Sequence, residues 1–166
     1  LTDKLSNYIV KKSKYLALNC QLNASNLSHH SLRKYKKTNF ILINESELRH
    51  ELRDKESNLD QLVKKLLKII KTKKLIITKG KDGAYFYDFI KNEKFHCPAF
   101  ANSIVDKVGA GDAMFGISAA CLYSKIPNDL SLFFGSLIAA NNVEDFGSKF
   151  IPEVNHLKKI VKHILG

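Results

Sequence analysis

A chain of 166 residues, with 27 Lys and Arg against 16 Asp and Glu for a formal net charge of +11, is long enough to bury one core and too short for two ordinary domains. Its 45% hydrophobic and 26% charged residues are those of a soluble globular chain, and no apolar run reaches the roughly 18 residues that a membrane span needs. Three cysteines, Cys20, Cys97 and Cys121, include no CxxC pair, so a disulfide framework or cysteine-bound zinc is not expected, a reducing cytoplasm fits best, and each thiol reads as a small core hydrophobe.

Residues 3–13 read as a helix, and the opening LTDKLSNYIVKK lacks the parts of a signal peptide. Tyr15 to Cys20 reads as a strand. Gln21 to Thr38 is polar and Ser/Asn-rich with no period. Its His29-His30 pair, like the other histidines, shows no ligand spacing and reads as surface. Phe40-Ile41-Leu42-Ile43 reads as a buried strand ending at Asn44. From Leu59 to Ile70, the residues Leu59, Leu62, Val63, Leu66, Leu67 and Ile70 keep helical spacing, with Lys64, Lys65, Lys68 and Lys71 on the other face. Dispersed lysines without interleaved aromatics are solvated faces, so neither nucleic acid nor a membrane is expected as a partner.

Leu75-Ile76-Ile77-Thr78 predicts the next buried strand, and Asp82-Gly83 is a hairpin signal leading into Ala84 to Asp88. Another short strand is expected over Glu93 to Cys97, then an irregular stretch from Pro98. A helix apolar nearly all round runs from Ala110 to Tyr123 and is expected to be buried. A second apolar helix spans about Asp129 to Asn141, and a last amphipathic one about Val154 to Leu165. Helices alternating with strands that lack a polar face predict an α/β fold, its mainly parallel sheet covered on both sides.

The chemistry concentrates in Asp106-Lys107-Val108-Gly109-Ala110-Gly111-Asp112, which leads directly into the apolar helix. A helix N-terminus presents backbone N–H groups and about half a positive charge. Small residues at Gly109, Ala110 and Gly111 let an anion approach that backbone closely, and such an arrangement stabilises the charge on a phosphoryl group in transfer. Asp112, in the first turn, is placed to accept a proton from an attacking hydroxyl or to orient it. The competing reading is that Gly-Ala-Gly allows tight helix packing and Asp112 is an ordinary first-turn acid.

This segment resembles the signature of the ribokinase (PfkB) family of carbohydrate kinases, Asp-x-x-Gly-Ala-Gly-Asp before a small, apolar helix. Lys107 departs from the commonest form, which has threonine there. Two further elements agree in kind and order. Asn44-Glu45-Ser46-Glu47 fits the family's Asn-x-x-Glu element, although Asn three residues before Glu is also a capping box. Thr78-Lys79-Gly80-Lys81-Asp82-Gly83 fits its Thr-x-Gly-x-x-Gly segment, which otherwise reads as a hairpin.

The resemblance implies a ribokinase-like three-layer αβα sandwich with ATP and Mg²⁺ as cofactors. It implies a sugar or sugar-phosphate hydroxyl as acceptor, Asp112 as base, and Gly109 to Gly111 as anion hole. Glu47 is implied as the Mg²⁺-placing residue, Asn44, Thr78, Gly80 and Gly83 as nucleotide-site residues, and Asn142 and Gly147 as adenine contacts. Residues 1–166 correspond to the second half of the family's domain, so the first half and its lid are expected to be absent, the chain alone inactive, and a homodimer possible through the bare sheet edge. The forms LALNCQLNASN, Asn-Glu-x-Glu and Asp-Lys-Val-Gly-Ala-Gly-Asp look most like the heptose-kinase-like branch, some members of which are fused to a cytidylyltransferase. The alternatives within this resemblance are a kinase of a nucleoside or vitamin-B6-like alcohol and a non-catalytic nucleotide-binding relative.

Overall fold

The computed structural model describes residues 2–20, 31–101 and 108–144. In chain order these form α1 (Asp3–Lys12), β1 (Ala17–Asn19), β2 (Lys37–Asn44), α2 (Glu45–Leu52), α3 (Leu59–Ile69), β3 (Lys71–Thr78), β4 (Ala84–Asp88), β5 (Glu93–Cys97), α4 (Ala110–Tyr123) and α5 (Asn128–Glu144). The sheet order follows the chain, β1-β2-β3-β4-β5. Both β1–β2 and β2–β3 are parallel, whereas β3–β4 and β4–β5 are antiparallel. Four strands therefore run one way and β4 alone runs against them.

Period-two alternation explains why β2 and β3 read as continuous apolar runs. Ile41, Ile43, Leu75 and Ile77 point to one face, where they meet Leu48 of α2 and Leu62, Val63 and Leu66 of α3. Phe40, Leu42 and Ile76 point to the other, with Phe86 of β4, and meet Met114 and Leu122 of α4 and Leu132 of α5. Both faces are buried, so neither set can be polar, and the result is the expected three-layer αβα sandwich. Each large side chain fully buried here contributes about 1.5–3 kcal/mol.

Several boundaries differ from those expected. β2 and β3 begin earlier than their apolar runs, at Lys37 and Lys71, because the exposed side chains of Lys37, Lys71 and Lys73 hide strand backbone behind polar residues. Lys64, Lys65 and Lys68 of α3 are solvent-facing as predicted, whereas Lys71, expected on the same helix face, is exposed at the start of β3. The connection between β3 and β4 is longer than a two-residue hairpin, being a 3₁₀ turn over Gly80–Asp82 closed by the Lys79 N–H donating to the Gly83 carbonyl at 2.8 Å.

One expectation is corrected. α4 buries only Met114, Ser118 and Leu122, one row at i, i+4, i+8, while Tyr123 is 65% exposed and Gly116 and Ala120 face outward. A helix built from Ala and Gly exposes little apolar area per residue, so it can form an outer layer without an exposed greasy patch. Cys20 and Cys97 are buried, as small core hydrophobes should be, but Cys121 is only half-buried; all three are free thiols. Residues 154–165, His29 and His30 lie outside the described residues. Among the described residues no helix is long and apolar enough to cross a membrane.

Candidate active site

The parallel strands end on one side of the molecule, and their carboxyl ends open into a cleft of about 820 Å³. That volume lies within the range of small-molecule sites, about 300–1,000 Å³, and the position is where open α/β sheets bind ligands. Asn19 and Cys20 enter from β1, Asn44 from β2 and Thr78 from β3. Glu47 and His50 of α2, Gly80, Lys81 and Gly83 of the β3–β4 connection, and Gly109 to Asp112 also line it.

Each sequence element has a local reason for its place. Asn44 caps α2: its backbone N–H donates to Glu47 Oε2 at 2.9 Å and its Oδ1 accepts from the Ser46 N–H at 2.9 Å. The capping box is thus real, and its two members also face the cleft. Asn44 Nδ2 donates to Thr78 Oγ1 at 3.3 Å, tying the ends of β2 and β3 together. Gly83 has φ 80°, and a Cβ there would stand 2.1 Å from the Cys97 carbonyl oxygen, so only glycine fits beside β5. The connection is fixed from outside by Lys79 Nζ, 3.4 Å from Glu45, whose carboxylate also accepts from Arg49 at 2.6 Å.

Gly109 is the N-cap of α4, with φ 84° and no side chain capping the terminus. The N-terminal turn of α4 lines the cleft, and its positive end favours an anion there. Asp112, in the same first turn, accepts at Oδ1 from Asn19 Nδ2 at 2.7 Å. Among the described residues no group of three or more His, Cys, Asp and Glu is placed to hold a metal. The donors here suit Mg²⁺, which keeps waters and substrate phosphates as ligands and needs only one or two protein carboxylates; Glu47 and Asp112 both line the cleft. The Cys20 thiol is pushed up to about 12 by burial, with the Glu51 and Glu47 carboxylates adding to it, so it is a packed wall and not a nucleophile.

The cleft brings together Asn44, Glu47, Thr78, Gly80, Gly83, Gly109, Ala110, Gly111 and Asp112. Asn142 is not among its lining residues. It is 6% exposed, with Oδ1 lacking a hydrogen-bond partner, and the α5 wall is made instead by Ser136, Ala139, Ala140 and Val143, facing Phe100. Asp106, Lys107 and Gly147 lie outside the described residues. Sequence reasoning missed Asn19 and His50. The first ends a strand at the sheet's carboxyl edge, and the second follows Glu47 by three residues and so shares its helix face.

The pfkB family carbohydrate kinase profile matches residues 4–154. No curated protein sequence gives a significant match. Among solved structures, Arabidopsis thaliana ribokinase in complex with ribose and ATP is 17% identical with a TM-score of 0.79, the match covering 97% of this chain and 53% of that one. Escherichia coli phosphofructokinase-2, in complex with substrates and products, is 18% identical with a TM-score of 0.77, covering 100% of this chain and 54% of that one. A ribokinase-like protein from Escherichia coli in complex with ATP and Mg²⁺ is 22% identical with a TM-score of 0.66, covering 76% of this chain and 40% of that one. At these identities the likeness is one of fold, and the chain spans about half the length of the structures it matches.

Proposed function

Because this chain belongs to the pfkB family of carbohydrate kinases, we propose that it carries the nucleotide-binding and catalytic part of an ATP-dependent phosphotransferase acting on a hydroxyl of a sugar or sugar phosphate. The observation that carries the reading is Asp112 in the first turn of α4, at the same helix end that offers an uncapped terminus to an anion, with both in one cleft.

In this reading Asp112 orients the acceptor hydroxyl and takes its proton as the oxygen attacks the γ-phosphorus and the bond from that phosphorus to the departing ADP breaks. The N-terminus of α4 stabilises the charge that spreads over the phosphoryl oxygens. Thr78, Gly80 and Gly83 form the nucleotide wall, where the missing Cβ at Gly83 lets the connection pack tightly against β5. Mg²⁺, when bound, neutralises phosphate charge, and Glu47 is the residue that holds it or its waters. The apolar wall of Ala139, Ala140, Val143 and Phe100 suits a flat base. Asn142 serves better as support behind that wall than as a contact to the base.

The test is Asp112→Asn in the full kinase, assayed as sugar-dependent ADP release across a panel of sugars and sugar phosphates. Turnover is expected to fall by about 10² or more while the KM for ATP changes little. Wild-type turnover in that variant would remove Asp112 from catalysis. The 166-residue chain by itself is expected to bind ATP or ADP weakly and to phosphorylate no sugar, because it spans about half the length of the structures it matches and phosphoryl transfer needs a held acceptor in a water-excluded site. Sugar-dependent ADP release by that chain, lost in Asp112→Asn, would show it to be sufficient.

A further inference from the structure

We propose that the end of the molecule opposite the cleft docks on an anionic lipid surface, held there by six exposed lysines set around the exposed Ile90. The inference goes beyond the kinase reading and does not depend on it.

Dispersed in the sequence, these lysines give no sign of a membrane partner; the fold gathers them. Because β1, β2 and β3 are parallel, their amino ends lie together, away from the cleft. Lys37 of β2 and Lys71 of β3 are register partners there, and the Lys71 N–H donates to the Lys36 carbonyl at 3.2 Å. Alternation puts Lys73 on the same face as Lys71. β4 runs against β3, so the turn after it reaches the same end. The Phe89 N–H donates to the Lys73 carbonyl at 2.9 Å, and Ile90 and Lys91 come next in the chain. α4 starts at the cleft and rises about 21 Å over its 14 residues. Lys125, in the turn to α5, is thereby carried to this end, where Asn128 bonds to Asp88 and Lys74.

The side chains of Lys36, Lys37, Lys71, Lys73, Lys91 and Lys125 are all exposed. Among the described residues none of them is in an ion pair. Asp88 and Glu93 are turned inward on Asn128, and Asp129 is an exposed acid beside these cations. Like charges on neighbouring strands oppose folding, so the Lys37–Lys71 pair is a cost that counter-charge outside the molecule relieves. Amid the lysines, Ile90 is 72% exposed, and Tyr123 at the end of α4 is 65% exposed.

The residue types select the partner. A surface shaped to read nucleic acid favours the planar fork of arginine, whereas all six cations are lysine, a point charge on a flexible stem. Ile90 has nothing to offer a phosphate backbone, but a bilayer boundary takes up an apolar side chain, and tyrosine is at home in the headgroup layer. Charge attraction and apolar insertion together give stable peripheral binding that one signal alone does not. Docked in this way, the molecule keeps its cleft, at the opposite end, open to soluble ligands.

The test is co-flotation of the full kinase with phosphatidylcholine vesicles, with and without phosphatidylserine. Wild type is expected to partition onto the anionic vesicles only, and to be released as salt rises. Lys37→Gln, Lys71→Gln and Lys73→Gln combined should weaken partition about 10²-fold, and Ile90→Ser about ten-fold. Both should keep wild-type turnover, and relief of the Lys37–Lys71 repulsion should leave the unfolding midpoint of the triple variant at or above wild type. If that midpoint falls instead, Lys91→Gln with Lys125→Gln, both in turns, replaces the triple variant and should weaken partition about thirty-fold. Failure of wild type to bind anionic vesicles, equal binding to neutral ones, or wild-type binding by the folded lysine variant would overturn the proposal. Binding of an RNA duplex that is lost in the lysine variant and unchanged in Ile90→Ser, without vesicle binding, would assign this end to nucleic acid and overturn it equally.

Discussion

At the sheet end away from the cleft, Asp88 of β4, Asn128 at the start of α5, Lys74 of β3 and Glu93 of β5 form a polar cluster that satisfies itself. Asp88 is 2% exposed and Asn128 is 6% exposed. The Asp88 carboxylate accepts from the Ile90 N–H at 2.9 Å, the Lys91 N–H at 3.0 Å and Asn128 Nδ2 at 2.9 Å. Lys74 Nζ donates to Asn128 Oδ1 at 2.7 Å and stands 3.8 Å from Asp88, and Asn128 Nδ2 also reaches Glu93 at 3.0 Å. At the other end, Asn19, Asn44, Glu47, Thr78 and Asp112 line the cleft, with hydrogen bonds joining Asn19 to Asp112 and Asn44 to Glu47 and Thr78. Polar groups turned on each other pin α5 to the sheet; polar groups that line a cleft can be reached from it. Composition does not separate the two sets, since each has carboxylates and an asparagine. Their enclosure does.

The comparison can be broken by substitutions that act at one end only. The largest effect belongs to the cleft. Asp112→Asn, with its expected loss of about 10² or more in turnover, should leave the thermal unfolding midpoint nearly unchanged, because Asp112 is exposed. A large fall in that midpoint would mean that Asp112 is part of the frame. Asp88→Ala should do the reverse. It removes the acceptor of the Ile90 and Lys91 N–H groups, one of the two acceptors of the buried Asn128 amide and the charge facing Lys74, at a cost of about 2–3 kcal/mol in unfolding free energy. Activity per folded molecule is expected to stay at wild type, and denaturant titration beside a turnover assay checks both halves.

Much of this division was legible in the sequence, and the illegible part has one physical cause. Phe40 to Ile43 and Leu75 to Thr78 announce buried strands because both faces of the sheet are covered, and Gly109-Ala110-Gly111 marks the start of α4, where the N-cap at φ 84° favours glycine. The pairings Asn19 with Asp112 and Asp88 with Asn128 carry no local signal. Each depends on strand order and on where a distant helix lands, and neither spacing nor composition encodes that. The all-round apolarity of α4 misled for a related reason. Composition reports how little a helix minds burial, not how much of it another layer covers. His50 is exposed as expected; its place beside the cleft was illegible because a single histidine has no spacing to read.

A smaller effect tests the residue that belongs to both categories. Glu47 closes the capping box of α2 and also faces the cleft. In Glu47→Gln the amide oxygen can still accept from the Asn44 N–H, so stability should change little. The loss of charge should raise the Mg²⁺ concentration for half-maximal activity, about ten-fold by the usual weight of a supporting metal-site group. An unmoved metal titration would leave Asn44 and Glu47 as a helix cap only.

The smallest expected effect is the pH dependence of the closed cluster, and its sign follows from the competing influences on Asp88. Burial pushes its carboxyl up, but the N–H groups of Lys91 and Ile90, the Asn128 amide and the Lys74 charge together outweigh burial and hold it below the usual range. A carboxyl lowered in the folded state stabilises the protein above its unfolded value, about 3.9, and loses that contribution as pH falls through the folded value. Wild type should therefore exceed Asp88→Asn in stability at neutral pH by an amount that is constant down to about pH 5 and then shrinks. Lys74 does not reverse this trend, since burial lowers its ammonium from a value far above that window. Unfolding midpoints of the two proteins between neutral pH and about pH 2.5 give the comparison directly. A gap that stays constant to the acid end would mean that the Asp88 charge adds nothing, and that the hydrogen-bonded shape of the cluster alone secures the far end of the sheet.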